Sequence, residues 1–171
     1  GGRAATAIPA FRLPRNVLGR EIERVEQTGA TIRSSTPVSQ NIGLQSWLEQ
    51  NGFPAAFVGV GASQSAKMRC EGEDAGYECF MTGLELLKRV ALGETPLQGN
   101  KLVVVGGGNV AMDCSRTALR LGFSEVHLLY RRTREEMPAD AREYSEAREE
   151  GVHFRYLLQP VRIRSDENGR V

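Results

Sequence analysis

The sequence predicts an α/β fold in which parallel strands alternate with helices. Three observations in the second half of the chain carry that prediction. Residues 101–105 (KLVVV), 125–130 (EVHLLY) and 152–158 (VHFRYLL) are short, apolar and rich in β-branched or aromatic residues, as buried strands are. Helix-patterned stretches separate them at 109–121 (NVAMDCSRTALRL) and 139–150 (ADAREYSEAREE), stopped by Gly122 and Gly151. The first strand runs directly into Gly106-Gly107-Gly108 and then into the first helix. The order β-α-β-α-β is the mononucleotide-binding half of a doubly wound parallel sheet, the Rossmann-like arrangement.

The first half is less regular. Residues 11–29 read as an extended lead-in followed by a helix carrying Val17, Ile22 and Val25, with Gly29 as its stop. Residues 30–34 (ATIRS) read as a short strand, and 43–51 as a short helix whose Trp47 belongs in a core. The run AAFVGVGA at 55–62 reads as a buried strand entering a tight loop. Residues 63–77 are polar and glycine-containing, the best linker candidate, and set a domain boundary between 1–76 and 77–171. A helix over 78–92 follows, closed by Gly93 and barred from resuming by Pro96. The tail RIRSDENGRV reads as a hairpin turning near Asn168-Gly169.

Composition narrows the function classes. With 22 Lys and Arg against 21 Asp and Glu the net charge is +1, so bulk charge does not steer the chain to nucleic acid and anion recognition must be local. No apolar run is long enough to span a bilayer, and no signal peptide is visible. The chain opens Gly1-Gly2-Arg3, which reads as an excised or processed piece. Cys70, Cys79 and Cys114 form no CxxC pair and read as reduced thiols, which points to the cytoplasm. His127 and His153 are too few for a histidine metal site, so no metal is expected in this chain.

The phosphate-binding candidate is Gly106-Gly107-Gly108-Asn109-Val110-Ala111, which fits G-x-G-x-x-A. Gly106 permits the tight turn, Gly108 lets a pyrophosphate approach the backbone, and Ala111 keeps helix and strand close. Amides around Asn109 and Val110 then face the phosphates, aided by the helix dipole. The end of the second strand selects the nucleotide: an acid there suits the ribose 2′-hydroxyl of NAD, an arginine the 2′-phosphate of NADP. This chain has Tyr130-Arg131-Arg132 and no acid at that place, which favours NADP(H). The alternative is a solvated basic loop balanced by Glu135 and Glu136.

Other clusters read as structural. Asp113 and Arg116 are spaced to pair on the first helix, in a surface or packing role, and Glu71, Glu73 and Asp74 read as a solvated acidic turn. No side chain stands out as an acid, base or nucleophile, so no catalytic residue is assigned, as fits hydride transfer between cofactors. A short-chain dehydrogenase would carry Tyr-x-x-x-Lys, but Tyr77, Tyr130, Tyr144 and Tyr156 precede Met81, Arg134, Arg148 and Pro160 at that spacing.

Several stretches together resemble one family, the flavoprotein small (beta) subunit of NADPH-dependent glutamate synthase. They are GG…IPAFRLP (1–14), FVGVGA (57–62), GED (72–74), VVVGGGNVAMDCSRTALRLG (103–122), YRRTREEMPA (130–139) and EEGVHF…QPVRI (149–163), covering nearly the whole chain. The resemblance implies two Rossmann-like domains, an NADPH domain inserted into an FAD domain. It further implies hydride transfer from NADPH to FAD, with electrons passing on to iron–sulfur clusters and a partner subunit or domain that carry them to the final acceptor. On that pattern Gly106 to Ala111 and Arg131-Arg132 hold NADPH, while Arg12 and Val38 lie along FAD. Residues 1–76 become a partial FAD-domain segment and 77–171 a C-terminally incomplete NADPH domain. The family's first FAD fingerprint is expected before Gly1 and its closing strand after Val171, so the chain reads as a middle piece. A competing reading is a non-catalytic nucleotide-binding or interaction module, and a bound yellow flavin in the full-length protein separates the two.

Overall fold

The computed structural model describes residues 2–37, 43–62, 64–167, 169 and 171. They fall into two compact units, Gly1–Leu18 with Ser63–Val171, and Gly19–Ala62. Residues 1–18 and the stretch after 63 belong to the same unit as the strands of the second half.

The larger unit holds α1 (Gly2–Thr6), α4 (Gly83–Ala91), β1 (Lys101–Val105), α5 (Asn109–Arg120), β2 (Glu125–Tyr130), α6 (Ala141–Glu149) and β3 (His153–Tyr156). Helix α2 (Arg15–Gln27) begins in it and continues into the smaller unit, which holds α3 (Leu44–Gln50). The three strands form one parallel sheet in the order β1-β2-β3. Lys101 pairs with Glu125 and Val105 with Leu129; His127 pairs with His153 and Tyr130 with Tyr156. The β-α-β-α-β prediction therefore holds, with each strand and helix within a few residues of its expected bounds.

Alternation explains the core. One face of the sheet carries Leu102, Val104, Val126, Leu128 and Phe154, packed against Met112, Ala118 and Ala147 from α5 and α6. Met112, Ala118, Val126, Leu128 and Ala147 are sealed from solvent. The intervening β1 residues Val103 and Val105 stay exposed. Helix α4 adds Leu86 and Leu87 beside Cys114 of α5. The approach is close: a Cβ on Gly83 would stand 2.9 Å from the Cys114 sulfur.

Three expectations from the first half are corrected. Residues 30–34 form no strand. Neither do residues 55–62, where Phe57 is 98% and Val60 90% exposed. A strand needs a neighbour for its backbone groups, and among the described residues none pairs with this stretch. Trp47 is half-buried and stacks on Phe53 with ring centroids 5.7 Å apart, while no described residue of 19–62 is buried. The tail pairs with the supposed linker, where Arg162 bridges Glu71 in parallel and the Ile163 N–H donates to the Glu71 carbonyl at 2.8 Å, and near its end the Gly169 N–H donates to the Asp166 carbonyl at 3.1 Å, as in the expected turn. A Cβ on Gly72 would collide with the Ile163 carbonyl, so the approach depends on glycine. Asn168, half of the expected turn, lies outside the described residues.

The acidic turn within 63–77 is also better organised than expected. Glu73 accepts from the N–H groups of Met68 and Arg69 at 2.8 and 2.7 Å, and Asp74 pairs with Lys67 at 2.7 Å.

Candidate nucleotide-binding site

The glycine turn sits where the ends of β1 and β2 meet. Gly106 has φ +142°, a conformation that disfavours a side chain, and its N–H donates to the Leu129 carbonyl at 3.0 Å. Gly107 is constrained differently. A Cβ there would lie 2.5 Å from carbons of the Tyr130 ring, so the backbone packs directly against that ring. Gly108 caps α5 in an extended conformation, with nothing within 4 Å of where its Cβ would be. Ala111 is buried against the sheet. Gly106 thus makes the turn off β1, Gly108 precedes α5 with open space beside it, and Ala111 lies buried on the helix. Gly107's contact escaped sequence reasoning, where it was only an "x". The signal available was an aromatic residue, Tyr130, at the end of the neighbouring strand.

The start of α5 carries no side-chain cap. Helix α4 is capped by Thr82, whose Oγ1 accepts from the Glu85 N–H at 3.3 Å, and α6 by Asp140, whose carboxylate accepts from the Arg142 N–H at 2.9 Å. The first amides of a helix have no partner within it, and the helix dipole makes that end electropositive. Beside Gly108, which offers open space where a side chain would stand, these amides form a cradle that fits a pyrophosphate. A cleft of about 1090 Å³ reaches this cradle and is lined there by Val105, Gly106, Gly108, Asn109 and Val110.

The two arginines follow the carboxyl end of β2, the neighbour of β1 in the sheet. Arg131 is exposed and, among the described residues, has no ion-pair partner. Arg132 Nη1 lies 3.8 Å from Glu136 Oε1. Glu136 also orders the loop: its carboxylate accepts from the Thr133 N–H at 3.2 Å, and its carbonyl accepts from the Tyr130 hydroxyl at 2.8 Å. Arg134 is not available to a ligand in the same way, since its guanidinium stacks 3.7 Å above the Tyr144 ring. Two hydrogen bonds then tie the end of this loop to the glycine turn. The Ala139 N–H donates to the Gly107 carbonyl at 3.0 Å, and the Asp140 N–H to Asn109 Oδ1 at 2.9 Å.

Arg12 is placed elsewhere. Its Nη1 donates to both Asp113 oxygens at 3.0 and 2.8 Å, and its Nη2 pairs with Glu143 at 2.7 Å. Phe11 beside it lies under two guanidinium groups, Arg120 at 3.9 Å and Arg116 at 4.7 Å. Arg116 does not pair with Asp113, as its spacing suggested. It reaches Glu143 at 3.3 Å, Glu146 at 2.7 Å and Glu150 at 2.8 Å. Burial pushes the Asp113 carboxyl up despite the opposing Arg12 charge. Arg120 first, and then Arg116, hold Glu150 down at about 2. Val38 lies outside the described residues.

The remaining reactive groups are quiet. Burial, reinforced by the Asp113 charge, pushes the Cys114 thiol up to about 12, which keeps it protonated and inert. Among the described residues no group of three or more His, Cys, Asp or Glu side chains is placed to hold a metal ion. No helix among them is long and apolar enough to cross a membrane.

The chain is 45% identical over 172 residues to the NADPH-Fe(3+) oxidoreductase subunit beta of Geobacter sulfurreducens, covering 100% of this chain and 25% of that protein. It is 44% identical over 164 residues to the NADP(+)-dependent formate dehydrogenase subunit beta of Moorella thermoacetica, covering 95% of this chain and 23% of that one. To the glutamate synthase [NADPH] small chain of Escherichia coli it is 37% identical over 180 residues, covering 100% of this chain and 38% of the other. The chain therefore spans about a quarter of the first two relatives and 38% of the third. A variant of FprA from Mycobacterium tuberculosis superposes with a TM-score of 0.74 at 15% identity, over 96% of this chain and 52% of that one, which establishes the shared fold. With residues 14–171 matching the family model for the pyridine nucleotide-disulphide oxidoreductases, the chain belongs to that family.

Proposed function

We propose that this chain is the NADPH-binding portion of a flavoprotein oxidoreductase subunit of the glutamate synthase small-chain kind. One observation carries the reading: the uncapped start of α5 at Gly108 and the Arg131-Arg132 pair both follow the carboxyl ends of adjacent parallel strands, β1 and β2. The amides at the start of α5 receive the pyrophosphate, and Gly108 leaves them room. Arg131 and Arg132 receive the 2′-phosphate, which a fork-shaped guanidinium matches in shape and charge.

NADPH, when bound, would supply a hydride for FAD to accept, and iron–sulfur centres outside this chain would take the electrons onward. The residues here bind and orient; none is placed as an acid or base. Among the described residues there is one strand–glycine–helix unit, and it is the one assigned to NADPH. The flavin's pyrophosphate would be held by chain outside these residues. A partner subunit or domain carrying the final acceptor completes the assembly, a reading supported by the beta-subunit names of two relatives.

Parallel calorimetric titrations of the full-length protein with NADPH and NADH, at fixed salt, test the assignment. Tight NADPH with feeble NADH is expected, and the double variant Arg131→Ala, Arg132→Ala should lose most of the difference. Equal affinities in the parent protein would remove the basis for the arginine assignment. A bound yellow flavin separates the oxidoreductase from a nucleotide-binding module without catalysis.

A further inference from the structure

We infer that the Asn109 side chain is a positioning residue for cofactor specificity: it holds the arginine loop in register with the phosphate turn. This rests on the reading of Arg131 and Arg132 as 2′-phosphate ligands. Asn109 is the first residue of α5, so its backbone N–H belongs to the anion cradle. Its side chain does something else. Oδ1 accepts the N–H of Asp140, 31 residues away, at 2.9 Å. Asp140 is the N-cap of α6, and its own carboxylate accepts from the Arg142 N–H. The Asn109 amide thus joins the starts of two helices.

Between those ends runs the loop that carries Arg131 and Arg132. Its near end is fixed by Tyr130, which belongs to β2, packs against Gly107 and donates its hydroxyl to the Glu136 carbonyl. Its far end is fixed to the turn by the Ala139–Gly107 backbone bond and by Asn109. Only the last of these is a side-chain bond that a single substitution can remove without touching a glycine or the aromatic. Both arginines are exposed, and Arg132 is only loosely held by Glu136 at 3.8 Å. Their position relative to the turn is therefore set by the backbone of their loop, which is also held after β3, where the Leu157 N–H donates to the Arg132 carbonyl at 3.3 Å and the Leu158 N–H to the Tyr130 carbonyl at 3.1 Å. A dinucleotide that spans the turn and the loop reads that distance twice, at the pyrophosphate and at the 2′-phosphate. NADH engages only the first. Loosening the far end of the loop should penalise NADPH and spare NADH.

The test is the affinity of the full-length protein for NADPH and for NADH, in Asn109→Ala and Asn109→Asp. Asn109→Ala keeps the cradle's N–H and loses the tie. The expected result is about tenfold weaker NADPH, as for one lost charge-supporting hydrogen bond, with NADH changed by less than about twofold. Asn109→Asp keeps an acceptor for the Asp140 N–H but sets a negative charge at the start of α5. It should weaken both nucleotides alike and leave their ratio near that of the parent. In the Arg131→Ala, Arg132→Ala background, Asn109→Ala should have no further effect on the ratio. Equal losses for both nucleotides in Asn109→Ala, or no loss for either, overturn the inference while leaving the arginine assignment intact. If instead the double arginine variant keeps the parent's NADPH preference, the assignment itself fails, and the inference with it. Should Asn109→Ala not fold, Asn109→Leu, close in size and equally without an acceptor for the Asp140 N–H, takes its place with the same deciding outcomes.

Discussion

Gly107 and Gly108 are neighbours in one turn, yet physics asks different things of them. At Gly107 a methyl group would enter the Tyr130 ring at 2.5 Å. At Gly108 it would meet nothing within 4 Å, and the backbone there is extended, open to any residue. Gly107→Ala should therefore act on the fold, lowering stability by about 1–3 kcal/mol as the ring is displaced. Gly108→Ala should leave thermal unfolding almost unchanged and weaken nucleotide binding, since its methyl would fill space needed by the pyrophosphate. Melting curves and NADPH titrations of the two variants separate the effects; loss of stability in both would mean that the open space at Gly108 is not there. The arginines should differ as well. Arg131 has no ion-pair partner among the described residues, whereas Arg132 shares its charge with Glu136. Arg131→Ala should cost NADPH affinity about 1.5–3 kcal/mol and Arg132→Ala less, with NADH the control for both.

At the scale of elements, α5 and α6 are joined by charge as much as by apolar packing. The Arg116 side chain is 7% exposed and faces Glu143, Glu146 and Glu150, while Arg12 meets Asp113 and Glu143. Removing Arg116 leaves the buried Glu143 and the partly exposed Glu146 and Glu150 without their shared cation, so Arg116→Ala should lower stability by about 1–3 kcal/mol in a denaturant titration. A pH signature accompanies it. Glu150 sits at about 2 when folded, held there by Arg120 and then Arg116, and returns to about 4.3 when unfolded. Its contribution is complete above the unfolded value and is lost as pH falls toward 2, because the unfolded chain then binds the proton more readily. Asp113 runs the other way: its raised folded value favours the folded state at low pH and withdraws that help as pH rises. Glu150→Gln should therefore be less stable than the parent at neutral pH, and the gap should narrow as pH falls from 5 to 2. A constant gap would show that the carboxylate charge is not what matters. None of this network was legible in the sequence. Helical spacing proposed Asp113 with Arg116 because i, i+3 neighbours are visible in one chain segment. The actual partner of Asp113 is 101 residues away, and only the tertiary fold brings it close.

For the whole molecule, legibility follows where the stabilising partners lie. Each strand of the sheet has its neighbour within a few tens of residues, and the pattern KLVVV, EVHLLY, VHFRYLL declares both the strands and their order. The same reasoning applied to AAFVGVGA identified a segment with strand composition, and there the structure shows exposed side chains and no ladder. Composition reports a preference for a pleated, half-buried surface; it does not supply the neighbouring strand. The arginine loop was legible in its charge, through the absence of an acid after Tyr130, but not in its geometry, which depends on bonds from Asn109 and Gly107 across the turn. These differences predict a gradient of backbone protection. Amide hydrogen exchange should be slowest at β2, the central strand, where Val126 and Leu128 are sealed and both edges are paired. It should be fast at Phe57, Val58 and Val60, whose amides have no ladder partner among the described residues. A peptide-resolved exchange experiment on the 171-residue chain, repeated on the full-length protein, carries the argument further. If 55–62 becomes protected in the longer protein while β2 is unchanged, the strand preference of AAFVGVGA is real and is met by a neighbour that the longer protein supplies. If 55–62 exchanges equally fast in both, the segment is a loop in its own right, and its apolar composition serves something other than a sheet.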